Sequence, residues 1–283
     1  MSDPFALQES RGGLQGETGN PSPGLDEALV LCLEAARSFA DANPCGDALD
    51  TLEALLPTLS PSDIDALIGH PDYVAVRGTL IRACAQTWFE RECDLACRAL
   101  DEPSSLTPHK LFGGHIPREA YADELAVLDS VRPRNILIIG SGASPMSAIV
   151  IQDAFPSATV AGMDRSARAC ELSSRLLAAC GYGNVAIMRG DAANPDGIEG
   201  FDCIVLALTV GIDEAEKGQI IRALRRAADP DAVLVVRTAA GWGRVLYPGT
   251  DLAVISDKMD LHRSLSPHQR SITVAVRMAE LPD

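Results

Sequence analysis

The stretch Asn135-Ile-Leu-Ile-Ile-Gly-Ser-Gly-Ala-Ser-Pro-Met146 constrains the fold more than any other. Ile136 to Ile139 are apolar without interruption, the mark of a central strand buried on both faces, as in a parallel sheet. Gly140 and Gly142 permit a sharp turn and let a ligand approach the backbone closely. Ser144 suits the N-cap of the next helix and Pro145 its first position, so free backbone N–H groups should face whatever lies above the strand. The stretch therefore reads as a ligand cradle.

The glycine pattern narrows the ligand. A dinucleotide fingerprint places a third glycine three positions after the second, where helix packs on strand at a pyrophosphate; this chain has Pro145 there. A nicotinamide or flavin cofactor is disfavoured. The next strand, 158–163, runs from Ala158 to Met163 and ends at Asp164-Arg165, an acid at the distance that suits ribose hydroxyls. A later strand, 184–188, leads into Arg189-Gly190-Asp191-Ala192, a second polar edge at the same end of the sheet. Together these features point to a nucleoside such as S-adenosylmethionine; singly each is only a turn or a solvated acid.

Before this region the pattern is helical. Residues 1–24 are polar and rich in Gly and Pro, a disordered tail without a basic apolar leader. Helices are expected over 25–42, 47–56, 62–68 and 72–100, forming an N-terminal α-helical bundle domain over 25–131. Leu106 to Arg118 reads as a loop able to fold over the cradle, or simply as a connection; 119–129 is a further helix leading to Arg132-Pro-Arg134. From 132 to 283 strands and helices alternate: helix 166–180, strand 201–208, helix 213–228, strand 232–237, then two final strands at 252–256 and 272–278. The expected fold is α/β, a Rossmann-like sheet of the class I methyltransferase type covered on both faces, with the ligand at the carboxyl ends of its strands.

A net charge of −15 and a pI near 4.7 leave no basic stripe for phosphates, so nucleic acid is not an expected partner. No run reaches the ~18 apolar residues that a membrane span needs. The eight cysteines follow no framework spacing; Cys93 and Cys97 lack a third ligand because position 100 is Leu, so buried thiols in the cytoplasm are expected.

Three stretches carry a family resemblance. Gly140-Ser-Gly-Ala-Ser-Pro-Met-Ser147, Leu206-Ala-Leu-Thr-Val-Gly-Ile-Asp-Glu-Ala-Glu-Lys217 and Arg237-Thr-Ala-Ala-Gly-Trp-Gly-Arg-Val-Leu-Tyr-Pro248 resemble the nicotianamine synthase family, and especially its bacterial opine-metallophore branch with staphylopine-type products. The likeness covers 106–277 well and the preceding helices only in type and length. It implies an S-adenosylmethionine enzyme that moves the 3-amino-3-carboxypropyl group, not the methyl, to an amine, with methylthioadenosine leaving. The chemistry is reasonable because every carbon on a sulfonium is electrophilic and alignment decides which reacts. No metal is required.

By the same resemblance Gly140, Ser141 and Gly142 should line the aminocarboxypropyl side and the nucleoside, with Met163, Asp164 and Arg165 at the ribose. Gly190, Asp191 and Ala192 should meet the adenine edge, and Leu208, Thr209 and Val210 form the floor. Arg237 is expected to grip a carboxylate through its planar fork, or only to pair with an acidic neighbour. Tyr247 orients the amine or merely packs, and His115 contacts the acceptor. The family's helix-borne acid and its tyrosine match Glu90 and Tyr121 best, with Gln86 and Glu92 as alternative positions for the acid. The expected partners are a small amino-acid substrate and, as an assembly, a homodimer; no membrane is expected. Loss of the acid would favour a rival reaction, closure of the methionine moiety to azetidine-2-carboxylate. An ordinary methyltransferase and a catalytically silent nucleoside-binding scaffold complete the alternatives.

Overall fold

The computed structural model describes residues 23–102, 107, 121–250, 264–265, 271–278 and 281. The expected tail up to residue 22, almost all of the loop from Leu106 to Arg118 with His115, and the strand expected at 252–256 lie outside the described residues; Pro23 and Gly24, expected in the tail, belong to the first helix.

Four helices open the chain: α1 (Pro23–Ala40), α2 (Gly46–Leu55), α3 (Pro61–Gly69) and α4 (Pro71–Asp101). Local sequence explains their starts. Ser60 and Asp63 form a reciprocal capping box ahead of α3, with Pro61 in its first turn. His70 accepts the Asp72 N–H at the head of α4, and Pro71 follows it. These helices share a core of Leu49, Leu52, Leu67, Tyr73 and Leu80 that also takes in Val245, Leu246 and Tyr247 from far along the chain.

At 31 residues α4 is about 46 Å long, and it serves two cores. Its first half carries Tyr73, Leu80 and Cys84 into the helical cluster, while Cys93 and Ala96 near its end pack on the sheet. Glu92 rides on the sheet-facing half.

After α5 (Ala122–Val131) come β1 (Asn135–Ile139), α6 (Met146–Ala154), β2 (Thr159–Asp164), α7 (Ala167–Ala179) and β3 (Ala186–Arg189). Then follow β4 (Cys203–Leu206), α8 (Glu214–Ala227), β5 (Val233–Ala239), β6 (Ser264–Leu265) and β7 (Ser271–Arg277). Among the described residues the sheet has seven strands in the order β3-β2-β1-β4-β5-β7-β6. The first five in that order are parallel; β7 runs antiparallel to both β5 and β6. The terminal pair thus forms between 264–265 and 271–277, where Ser264 and Leu265 find register with Thr273 and Ile272.

The uninterrupted apolar run in β1 is explained by two covered faces. Ile136 and Ile138 join the layer made with α4, α5, α6 and α7, whereas Leu137 and Ile139 join the layer under α8. Ser166 caps α7 through its Oγ, and Gly181 closes the helix at φ +88°. Asp213 caps α8 in the same way.

One local expectation fails. Ser144 does not cap α6: the helix begins at Met146, Pro145 sits at the cap position with non-helical backbone, and the Ser144 Oγ has no partner among the described residues. The Met146 N–H instead donates to the Ser144 backbone carbonyl at 2.8 Å.

Candidate active site

The sheet places the site at the carboxyl ends of β1, β2, β4 and β5. Gly140 and Gly142 adopt φ of +78° and +69°, and their loop is tied down when the Gly140 and Ser141 N–H groups donate to the Met163 carbonyl, at 2.8 and 3.1 Å. Space requires glycine as well. A Cβ at Gly140 would run into Val210 and come within 3.2 Å of Ala207 Cβ, and one at Gly142 would collide with the Glu92 carboxylate. Even Gly162, inside β2, is shaped by this loop, since a Cβ there would lie 2.8 Å from that of Ser141.

Asp164 ends β2 where the sequence expects it. One carboxylate oxygen accepts the Gly142 N–H at 3.0 Å and the other the Ser166 N–H at 2.9 Å, so the acid braces both the glycine loop and the head of α7. Met163 contributes its backbone only; its side chain is buried beneath the site. Arg165 is exposed, and its carbonyl accepts from Arg189 Nε at 3.4 Å. Gly190 packs against Met163, Ala192 is buried, and Asp191 turns its carboxylate onto the Ala193 N–H at 2.9 Å. Leu208, Thr209 and Val210 form the turn after β4, with Val210 against Gly140.

The acid at the cradle is Glu92. Its half-buried carboxyl lies against Gly142, near the backbone N–H groups of Ala143 and Ser144. Burial pushes its pKa up to about 7; the two N–H groups pull the other way, and the Asp164 carboxylate adds to the rise. Glu90, the better match by sequence, points to solvent and accepts from Gln86 Nε2 at 2.7 Å. The two residues are separated by about 200° around the helix axis, so only one can face the loop.

Tyr121 and Arg237 are brought together, with unexpected company. Arg237 Nε donates to Glu124, which is 2% exposed; Nη2 donates to Ser147 Oγ at 3.1 Å, and the Tyr121 ring centroid lies 5.0 Å from the guanidinium. Burial works against the arginine charge, but Glu124 and Tyr121 more than offset it, and the pKa is raised. Of the two readings from sequence, pairing with an acidic neighbour is what the geometry displays. Tyr247 is 4% exposed among the helical core, with its hydroxyl 2.7 Å from Glu53 Oε1, an acceptor shared with Trp88 Nε1 at 3.2 Å.

Sequence reasoning passed over Lys217. The side chain is fully buried, and Nζ donates to the carbonyls of Leu208 at 3.0 Å and Arg237 at 2.8 Å, bridging the separating ends of β4 and β5. Burial and then the nearby Arg237 lower its pKa to about 7. A lysine on an amphipathic helix reads as surface; the only sequence cue was its place within Glu214-Ala-Glu-Lys217, directly after the turn that floors the cradle.

The residues suit S-adenosylmethionine. Glycine backbone leaves room above β1, and the Ser141 and Ser144 hydroxyls are buried without partners among the described residues. The Glu92 and Asp164 carboxyls offer negative charge to a sulfonium and an ammonium. A five-strand parallel sheet extended by an antiparallel pair, with a glycine loop after β1 and an acid closing β2, defines a class I methyltransferase-type fold with a helical N-terminal region.

Comparison narrows the class. The family model described as nicotianamine synthase protein matches residues 37–280. The chain is 30% identical over 255 residues to nicotianamine synthase 9 of Hordeum vulgare, covering 84% of this chain and 74% of that protein. It is 32% identical over 213 residues to nicotianamine synthase 2 of Oryza sativa subsp. japonica, covering 72% and 64%. Among solved structures, MtNAS in complex with MTA and tNA superposes with a TM-score of 0.70 at 17% identity, over 93% of this chain and 100% of that one, which shows a shared fold. The chain belongs to the nicotianamine synthase family and is an enzyme of its aminocarboxypropyltransferase class.

Proposed function

We propose that the chain transfers the 3-amino-3-carboxypropyl group of S-adenosylmethionine to the amine of an amino acid, building a nicotianamine-like or opine-metallophore precursor. The amine nitrogen forms a bond to the γ-carbon of the methionine moiety, the carbon–sulfur bond breaks, and sulfur keeps the electron pair as methylthioadenosine. The attacking amine must first lose a proton, and the acid that receives it has to titrate near working pH.

Glu92 against Gly142 is the observation that carries the reading. A carboxyl on a helix outside the sheet domain lies on the glycine loop with its pKa raised to about 7, so near neutrality it exists as base in part of the population. In the same place it attracts the ammonium form of an incoming amine. An acid at the cradle also speaks against closure to azetidine-2-carboxylate, the reaction that its loss would favour.

Other residues position the groups. Asp164, once its oxygens turn from backbone to ligand, suits the ribose hydroxyls; Ser141 and Ser144 offer hydroxyls to the methionine carboxylate. Tyr121 and Ser147 frame the guanidinium of Arg237, whose donors on the side away from Glu124 remain candidates for a substrate carboxylate. Tyr247 and His115 keep no catalytic part in this reading, and the base is Glu92 in place of Glu90. The scheme calls on no metal, and a cytoplasmic homodimer is the assembly to test; no described helix is long and apolar enough to cross a membrane.

The experiment is incubation with S-adenosylmethionine alone and then with single amino acids, followed by mass spectrometry. Methylthioadenosine released only with an acceptor, together with an acceptor enlarged by one aminocarboxypropyl unit, supports transfer. Release without acceptor supports cyclisation, and S-adenosylhomocysteine would make the chain a methyltransferase.

A further inference from the structure

A second cavity opens on the other side of the β5 end. It measures about 290 Å³ and is bounded by Arg77 of α4, Glu214 at the head of α8, Thr238 of β5, Arg244, Gly249 and Thr250. That is the small end of ligand-site volumes, suited to a compound of amino-acid size. Side chains alternate along β5, so Thr238 faces this cavity while its neighbour Arg237 faces Glu124 and Tyr121.

Two features indicate a missing ligand. The hydroxyls of Thr238, 2% exposed, and Thr250, 8% exposed, are buried without a hydrogen-bond partner among the described residues. Buried hydroxyls are ordinarily satisfied, and both of these belong to residues that line a cavity holding guanidinium groups, into which a side-chain rotation would bring them. The charge is also arranged in separated halves. Arg77 is half-buried beside the Tyr73 hydroxyl, which donates to the Val245 carbonyl at 3.0 Å and leaves the arginine's five-donor fork to the cavity. Arg244 is ion-paired with Asp65 at 2.7 Å and adds field more than free donors. Exposed Glu214 stands at the mouth against Gly249, where an added Cβ would come 2.8 Å from Glu214 Oε1.

We propose that this cavity captures an α-amino acid as its zwitterion, the carboxylate on Arg77 and the two threonine hydroxyls and the ammonium toward Glu214. Two arginines balanced by Asp65 and Glu214 give no net charge, which suits a zwitterion better than a simple anion. The inference rests on the transfer reading, since it assigns this cavity to the acceptor. By strand spacing, β5 stands two strands from β1, roughly 10 Å, so this cavity is a capture position that the acceptor must leave before its amine meets Glu92 at the glycine loop.

The test is calorimetric titration of the full chain with each standard amino acid, with acetate and methylammonium as half-ligands. At least one amino acid should bind saturably and both half-ligands about tenfold or more weakly, as expected when two charged contacts act together. Arg77→Met and Gly249→Ala, the latter displacing Glu214, should each weaken that amino acid about tenfold while S-adenosylmethionine affinity stays within about twofold. Thr238→Val, which removes the hydroxyl and keeps the shape, should weaken it severalfold. Absence of amino-acid binding, or binding untouched in Arg77→Met and Gly249→Ala, overturns the proposal. Parallel assay of methylthioadenosine separates the two readings: acceptor-dependent release that these variants leave unaltered removes the cavity alone, whereas a methylated product removes the transferase and leaves the binding result standing.

Discussion

Two acidic side chains at the carboxyl edge of the sheet have opposite circumstances. Glu124 is almost wholly buried but has Arg237 against it, so its charge is matched within a cluster that Tyr121 and Ser147 complete. Glu92 is less buried and lies near two backbone N–H groups and a second carboxylate instead of a cation; its pKa rises to about 7. Burial alone does not mark a reactive acid. A paired charge stabilises a framework, whereas an uncompensated charge in the cradle is free to exchange a proton.

The largest expected effect comes from breaking the paired cluster. Arg237→Ala leaves Glu124 buried without its cation and should lower stability by about 3–5 kcal/mol, read from denaturant unfolding. Arg237→Ala with Glu124→Gln should recover much of that loss while transfer stays impaired; no recovery would mean that Arg237 does not serve to compensate Glu124. Next, Glu92→Gln should lower the transfer rate about 100-fold with the fold intact. Glu90→Gln, two residues away, should change it by less than about twofold, as usual for a solvated surface group. A large loss in Glu90→Gln would reverse the assignment.

The pH dependence sharpens the contrast. As a base, Glu92 must be ionised, so the rate should rise with pH through about 7, and Glu92→Gln should flatten that inflection. Stability moves the other way. A raised carboxyl pKa means that the folded state holds the proton more tightly, a contribution fully present below the unfolded pKa and lost as pH rises from the ordinary glutamate range through about 7. Glu92→Gln should therefore melt a few degrees higher than the parent at pH 8, by roughly the shift that 1 kcal/mol produces in a chain of this size, and show no such gain at pH 4. Equal melting at both pH values would argue against the shift.

Much of the sheet was legible because its signals are local. The apolar run of β1 and the helices expected over 166–180 and 213–228 each depend on near neighbours, as does the glycine loop. What was not legible is tertiary. Choosing Glu92 over Glu90 requires knowing which face of α4 meets the loop, and the helix carries apolar residues toward two different cores. The partners of Arg237 and Tyr247 lie 113 and 194 residues away. Lys217 reads as surface by type, and only folding reveals two strand-end carbonyls around it. Ser144 failed as a cap because Pro145 takes the cap position and the helix begins only at Met146, whose N–H donates to the Ser144 carbonyl.

In the proposed reaction the longer arm of the sulfonium is attacked by an amine that Glu92 helps to deprotonate. Methylthioadenosine formation, followed by mass spectrometry in the parent chain and in Glu92→Gln with and without an amino acid, tests it most directly. Release in the parent should depend on the acceptor and fall about 100-fold in the variant. Release that ignores both the acceptor and Glu92, or S-adenosylhomocysteine in its place, would contradict it.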